Sequence, residues 1–160
     1  MKLKLIVSRF YIIYNCIINA DDKHMTQKSE IGKLGENLAC EYLKDKGYFI
    51  IERNFRKPWG ELDIVAKDKD KALVFVEVKA LRSYDYSNDD DKSWQLLTPE
   101  EHLTAAKLKK LRRTASLYAG HRQELIKDKT GWRIDLVAIN LPAYLTESLR
   151  NCVINHYENL

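Results

Sequence analysis

Six consecutive residues, Val74-Phe75-Val76-Glu77-Val78-Lys79, constrain this chain more than any other part of it. Side chains alternate faces along a strand, so Val74, Val76 and Val78 share one side while Phe75, Glu77 and Lys79 share the other. A run this apolar reads as a central strand. Burying a charge there costs several kcal/mol unless it is paired or bound to a metal. Glu77 and Lys79 therefore demand partners.

The preceding segment, 61–66, is a second strand, Glu61-Leu62-Asp63-Ile64-Val65-Ala66, and the charged turn Lys67-Asp68-Lys69-Asp70-Lys71 joins the two as an antiparallel hairpin. Centred near 69–70, that hairpin sets Asp63 opposite Glu77 and Glu61 opposite Lys79. Facing carboxylates repel unless a cation lies between them. Upstream, residues 29–46 place Ile31, Leu34, Leu38 and Tyr42 on one helical face, widened by Gly35, Ala39 and Leu43, with Gly47 as a stop. Glu36 falls between Leu43 and Cys40 on that helix, at the margin of the apolar face, and can reach the sheet. Glu36, Asp63 and Glu77 offer hard oxygen donors suited to Mg²⁺ or Mn²⁺, and Lys79 offers a cation beside an attacking water. The plain alternative joins Glu77, Lys79 and Glu61 in an internal salt bridge and turns Glu36 to solvent; spacing alone does not choose between them.

The remaining elements complete the fold class. Tyr48-Phe49-Ile50-Ile51 reads as a short buried strand, closed by the turn Lys57-Pro58-Trp59-Gly60. Thr98-Pro99-Glu100-Glu101 supplies an N-cap, a proline at the first helical position and an acid at the third. The helix it opens is expected to run to Tyr118–Ala119, with Gly120 as its cap. Residues 132–139 and 153–157 are two further strands, separated by Pro142. Helix, three strands, helix, strand, strand is an α/β order that predicts a single mixed β-sheet with flanking helices. A chain of 160 residues builds that as one domain with a core large enough to need no disulfide or metal staple.

Residues 1–25 read as an N-terminal extension or upstream translated segment, with the patterned domain over 26–160. The uncharged stretch 10–20 is eleven residues long, short of the ~20 needed to cross a bilayer. Arg9 and Asn15 also weaken a signal-peptide reading of the segment. Three cysteines, Cys16, Cys40 and Cys152, form no Cys-x-x-Cys pair, and the four histidines lack ligand spacing. Reduced thiols in a cytoplasmic protein, with no zinc site, fit that usage.

Twenty-seven basic against 23 acidic residues give a net charge of +4, a mild excess whose distribution says more than its size. Residues 104–122 carry Lys107, Lys109, Lys110, Arg112, Arg113 and Arg122 without an acid, while 83–101 carry Asp85, Asp89, Asp90, Asp91, Glu100 and Glu101 against Lys92 alone. In the basic helix Leu108, Leu111, Ala115 and Tyr118 form a narrow buried stripe. Lys107 sits at its edge, and Lys109, Lys110, Arg112 and Arg113 take the remaining circumference. Such a helix suits phosphate contacts; a soluble face that happens to be basic is the duller reading. Trp59, Trp94 and Trp132 are better placed as core or turn anchors than as base-stacking rings.

A helical Glu, then an Asp, then Glu-x-Lys on the next strand resembles the PD-(D/E)xK nuclease superfamily of restriction endonucleases and Holliday-junction resolvases. The segments Gly35-Glu36-Asn37-Leu38-Ala39, Gly60-Glu61-Leu62-Asp63-Ile64-Val65-Ala66, Val74-Phe75-Val76-Glu77-Val78-Lys79 and Arg133-Ile134-Asp135-Leu136-Val137-Ala138 are together similar to the YraN-like family of small bacterial proteins within it. The likeness spans about residues 30–140. It implies a restriction-endonuclease-like fold and a Mg²⁺- or Mn²⁺-dependent nuclease that hydrolyses phosphodiester bonds in DNA, branched or structured DNA included. Asp63, Glu77 and Glu36 would be the metal ligands, with the carbonyl of Val78 as a further donor, and Lys79 would orient or deprotonate water. Lys107, Lys109, Lys110, Arg112 and Arg113 would hold nucleic acid; a homodimer is compatible with this, and no membrane is involved. The rival expectation is a non-catalytic nucleic-acid-binding module that keeps the fold. It draws on Arg82, displaced by one position from the family's pattern, and on the acidic insert 85–91.

Overall fold

The computed structural model describes residues 27–82, 103–126, 131–141 and 152–160. The N-terminal segment 1–25, the acidic insert 85–91, Trp94 and the Thr98-Pro99 signal all lie outside them. Helix α1 (Gln27–Asp45) leads into β1 (Phe49–Lys57), β2 (Gly60–Lys67) and β3 (Leu73–Arg82). Helix α2 (Ala105–His121) and a single turn of 3₁₀ helix follow, then β4 (Trp132–Leu141) and β5 (Val153–Tyr157). The five strands form one sheet in the order β1-β2-β3-β4-β5. β3 and β4 are parallel, while every other neighbouring pair is antiparallel. A parallel pair requires a crossover, and α2 supplies it. This is the mixed sheet with flanking helices that the element order predicted.

The two faces of the sheet are covered separately. Leu34, Leu38, Ala39, Cys40 and Leu43 of α1 pack on Ile64, Ala66, Val74, Val76, Val78, Val137, Ile139 and Leu141. Leu111, Ala115, Tyr118 and Ala119 of α2 pack on Leu62, Val65, Leu73, Phe75 and Ile134. α1 ends where its stop signal stands: Gly47 adopts φ +88°, and the Tyr48 and Gly47 amides donate to the carbonyls of Leu43 and Lys44, both at 2.9 Å. No helix among the described residues is long and apolar enough to cross a membrane.

Three sequence expectations need correction. β1 is neither short nor buried. It is an edge strand of nine residues that continues through Glu52-Arg53-Asn54, with a register shift between Ile50 and Glu52 and with Phe49 71% exposed. An edge strand has one rim in water, so its polar residues do not end it. α2 takes its N-cap from Thr104, whose hydroxyl accepts the Lys107 amide at 3.2 Å, and residues 103–104 are not helical, so the helix does not run continuously from Pro99. At its far end it passes through Gly120 to His121. Trp59 and Trp132 do serve as anchors: Trp59 lies against Phe55 and parallel to His121, and Trp132 meets Phe75 edge-on.

Two glycines set how closely the helices approach the sheet. A Cβ on Gly60 would stand 2.0 Å from the Thr114 hydroxyl oxygen, and one on Gly35 would stand 2.4 Å from the Ala80 Cβ. Gly35→Ala is expected to destabilise the protein by about 1–2 kcal/mol through overpacking, against the gain in helix propensity. Ala80→Gly introduced beside it should return most of that loss in a double-mutant cycle by urea denaturation. Additive effects of the two substitutions would show that α1 simply shifts.

Candidate active site

The β2–β3 ladder runs from Lys67↔Leu73 to Ile64↔Val76 in the register predicted from the hairpin, and it stops one residue short of Asp63 and Glu77. Beyond that point Asp63 bridges the strands with its side chain: Oδ2 accepts the Val78 amide at 2.8 Å. Alternation along β2 also breaks here. Leu62 and Val65 pack in one cluster, whereas Ile64 packs in the other; across the β1 ladder, between the Phe55↔Leu62 and Arg53↔Ile64 pairs, Asn54 takes φ +54°. The irregularity turns Asp63 toward the end of β3. Glu61 does not meet Lys79. It pairs with Arg56 across β1, where both side chains are exposed and 4.0 Å apart.

Glu77 lies on the α2 face of β3 and is only 4% exposed. Its Oε1 accepts hydrogen bonds from two ammonium groups, Lys79 of the same strand and Lys107 of α2, the latter at 2.6 Å. Lys79 also approaches the Val78 carbonyl at 3.4 Å. Burial and the neighbouring Glu77 charge push the Asp63 carboxyl up to about 6, against the Val78 amide and Lys79, and Glu36 adds to the rise. Burial pushes Lys79 below the ordinary lysine range in spite of Glu77. For Lys107, burial is outweighed by the bond to Glu77, and its pKa is raised.

The structure thus gathers Asp63, Glu77, Lys79 and Lys107. Glu36, half-buried on α1, acts on Asp63 through its charge. Among the described residues no three His, Cys, Asp or Glu side chains form a group able to hold a metal ion. Two carboxylates with a carbonyl beside them still suit Mg²⁺, which takes one or two carboxylates and completes its shell with water and substrate phosphate. A cavity of about 310 Å³ opens in front of Glu77, walled by Glu61, Ala106, Lys107, Lys110, Leu111 and Thr114. Lys109, Lys110, Arg112 and Arg113 are exposed along α2, with Arg112 also donating to the Leu160 carbonyl at 3.0 Å. Lys107 is the residue whose role the sequence placed least well. It stands inward on Glu77, and its position at the edge of the apolar stripe was the signal.

A second buried polar cluster occupies the α1 face. Asp135 is fully buried and accepts from Arg133 Nε at 3.0 Å, from His156 Nε2 at 3.1 Å and from the Asn159 amide at 3.0 Å. Arg133 also reaches Asp68 and the Tyr48 hydroxyl. Burial would raise the Asp135 carboxyl, but His156 and Arg133 outweigh it and hold it below the usual range. Tyr48 and Asp68 had no signal in the sequence, because their partner lies in a strand 65 or more residues away.

A family model described as "Uncharacterised protein family UPF0102" matches residues 35–139. A UPF0102 protein of Clostridium botulinum (strain Loch Maree / Type A3) is 39% identical over 112 residues, covering 70% of this chain and 80% of its own. One from Renibacterium salmoninarum is 42% identical over 118 residues, covering 74% and 88%. The matched residues contain Glu36, Asp63, Glu77, Lys79, Lys107 and Asp135.

The Asp63 environment has a measurable sign. A carboxyl whose folded pKa is raised contributes stability that is present in full below its unfolded value of 3.8 and is lost as pH rises through about 6. Without metal, Asp63→Asn is expected to gain on the wild type by about 2–3 kcal/mol as pH is raised from 4 to 7 in urea titrations. A stability difference that does not change with pH would place Asp63 in an ordinary solvated setting.

Proposed function

The chain belongs to the UPF0102 family, and we propose that it is a divalent-metal-dependent nuclease acting on DNA, structured or branched DNA included. One observation carries the reading: two carboxylates, Asp63 and Glu77, converge beside Lys79 at the open end of an otherwise apolar strand pair. A purely structural core has no use for that concentration of charge beside a cavity.

Asp63, Glu77 and the Val78 carbonyl would hold Mg²⁺ or Mn²⁺, with Glu36 near enough to add its charge. Such an ion supplies Lewis-acid chemistry to a phosphodiester oxygen. Asp63 is held in place by the Val78 amide, so its orientation is fixed by the main chain of the strand that carries Glu77. Lys79, with a lowered pKa and on the same strand face as Glu77, is suited to hold a water for in-line attack and to offset charge growing on phosphorus. Lys110 lines the cavity, and the exposed Lys109, Arg112 and Arg113 of the same helix offer further phosphate contacts. One observation favours the second reading, a binding module without catalysis: Glu77 already has two ammonium partners, which is a complete internal ion network.

Incubation with Mg²⁺ or Mn²⁺ and a panel of linear, branched and single-stranded substrates separates the two. Cleavage is expected with at least one of them. Asp63→Asn and Glu77→Gln should abolish it and weaken Mn²⁺ binding, whereas Lys79→Ala should lower the rate by about 10²–10⁴-fold and leave Mn²⁺ binding intact. A wild type that binds DNA but neither cleaves it nor binds Mn²⁺ is the binding module.

The exposed bases have their own test. Replacing Lys109, Lys110 and Arg113 by Gln should weaken binding equally across sequences and reduce the slope of log affinity against log salt by about 1 per base removed. An unchanged slope would assign them to a solvated face.

A further inference from the structure

We propose that Lys107 is a removable counter-charge: it holds Glu77 while the site carries no divalent cation, and it turns to the substrate phosphate when the site is loaded. The inference rests on the nuclease reading above and adds a positioning residue to it. Three features of the cluster support it.

Formal charge comes first. Asp63 and Glu77 contribute two negative charges, and Lys79 and Lys107 contribute two positive ones, all around one buried carboxylate oxygen. These four groups balance, and Glu36 adds one further negative charge from α1. A divalent cation held by the same carboxylates would bring two positive charges, of which Glu36 offsets one, and two ammonium groups would face the newcomer. One ammonium must leave, and a phosphate anion gives it somewhere to go.

The second feature is which lysine is free to move. Lys79 stands on β3, on the same face as Glu77, and its side chain is 20% exposed; Lys107 arrives from α2 with its side chain 41% exposed. The helix itself is fixed. Thr104 caps its first turn, Leu111, Ala115 and Tyr118 are buried, and Gly60 presses against Thr114. Movement therefore falls to the four-carbon stem of Lys107, a flexible tether carrying a strongly hydrated charge.

The third is where Lys107 can turn. It lines the cavity in front of Glu77 together with Lys110, so release from Oε1 leaves its ammonium at the wall of a space open to an anion. Lys110 shares that wall, and no ion pair to it is formed among the described residues. The pair divides the work: Lys110 belongs to the substrate at all times, Lys107 only after exchange.

The test uses the full chain without nucleic acid, titrated calorimetrically with MnCl₂ at about pH 8, where the carboxylates are ionised. Lys107→Met should bind Mn²⁺ roughly tenfold more tightly than the wild type, because the competing charge is gone. Lys110→Met, changed in the same cavity, should match the wild type, and so should Lys107→Arg, which restores the counter-charge. The thermal midpoint supplies a second readout: Mn²⁺ should raise it further in Lys107→Met than in the wild type. Equal or weaker Mn²⁺ binding by Lys107→Met overturns the proposal. Absence of Mn²⁺ binding by the wild type and Lys107→Met alike overturns the nuclease reading itself, and this one with it.

Discussion

β3 is covered on both faces, and residues 73–78 are buried without a break. Little of their surface meets water, so each polar group on the strand has to find most of its partners within the protein. The amides and carbonyls are met by β2 and β4. Glu77 is the exception that the ladder cannot serve. It draws the Lys107 side chain inward from α2, while Asp63 leaves regular alternation and takes the Val78 amide. A single carboxylate placed in an apolar strand thus sets where the first lysine of the crossover helix points.

The two buried polar clusters differ in a way that separates architecture from chemistry. Around Asp135 the acceptor oxygens are occupied by Arg133, His156 and the Asn159 amide, and the arginine fans out to Asp68 and Tyr48. That arrangement ties together β4, β5, the β2–β3 turn and the start of β1, much as a disulfide would. Breaking one partner of such a set costs about 3–5 kcal/mol, because the remaining charge is stranded. Around Glu77, by contrast, both partners are lysines on flexible stems, and a cavity adjoins them. The Asp135 oxygens are held by partners from several elements, and the Glu77 oxygen by two lysine stems beside a cavity.

Periodicity made the helices, the hairpin register and the faces of β3 legible before any coordinates. Those features depend on residues close in sequence, where spacing translates directly into geometry. What stayed hidden was non-local. Nothing near Glu61 says that Arg56 claims it, and nothing near Arg133 points to Tyr48. β1 looked shorter than it is, because an edge strand tolerates the polar run that a central strand would not. The start of α2 differs for another reason: Thr98-Pro99-Glu100-Glu101 has the residue types of a strong cap, whereas the cap in use is the Thr104 hydroxyl. For the site, the sequence supplied Asp63, Glu77 and Lys79 as a set, but it assigned Lys107, at the edge of the apolar stripe, to nucleic-acid contact, since its reach to Glu77 depends on how closely Gly60 lets α2 approach.

The turn between β2 and β3 is held by Asp68, whose Oδ1 accepts the amides of Asp70 and Ala72, both at 2.9 Å, while Lys71 takes φ +70°. Side chains alternate across a sheet, so a pairing that slips by one residue exchanges the two faces. In this protein one face of β3 meets the apolar side of α1 and the other carries Glu77 and Lys79 toward α2. A single residue inserted into that turn would press the two charged side chains into the layer under α1 and leave valines facing Lys107. The length of this turn is therefore a condition for placing Glu77 and Lys79 on the α2 side of the sheet.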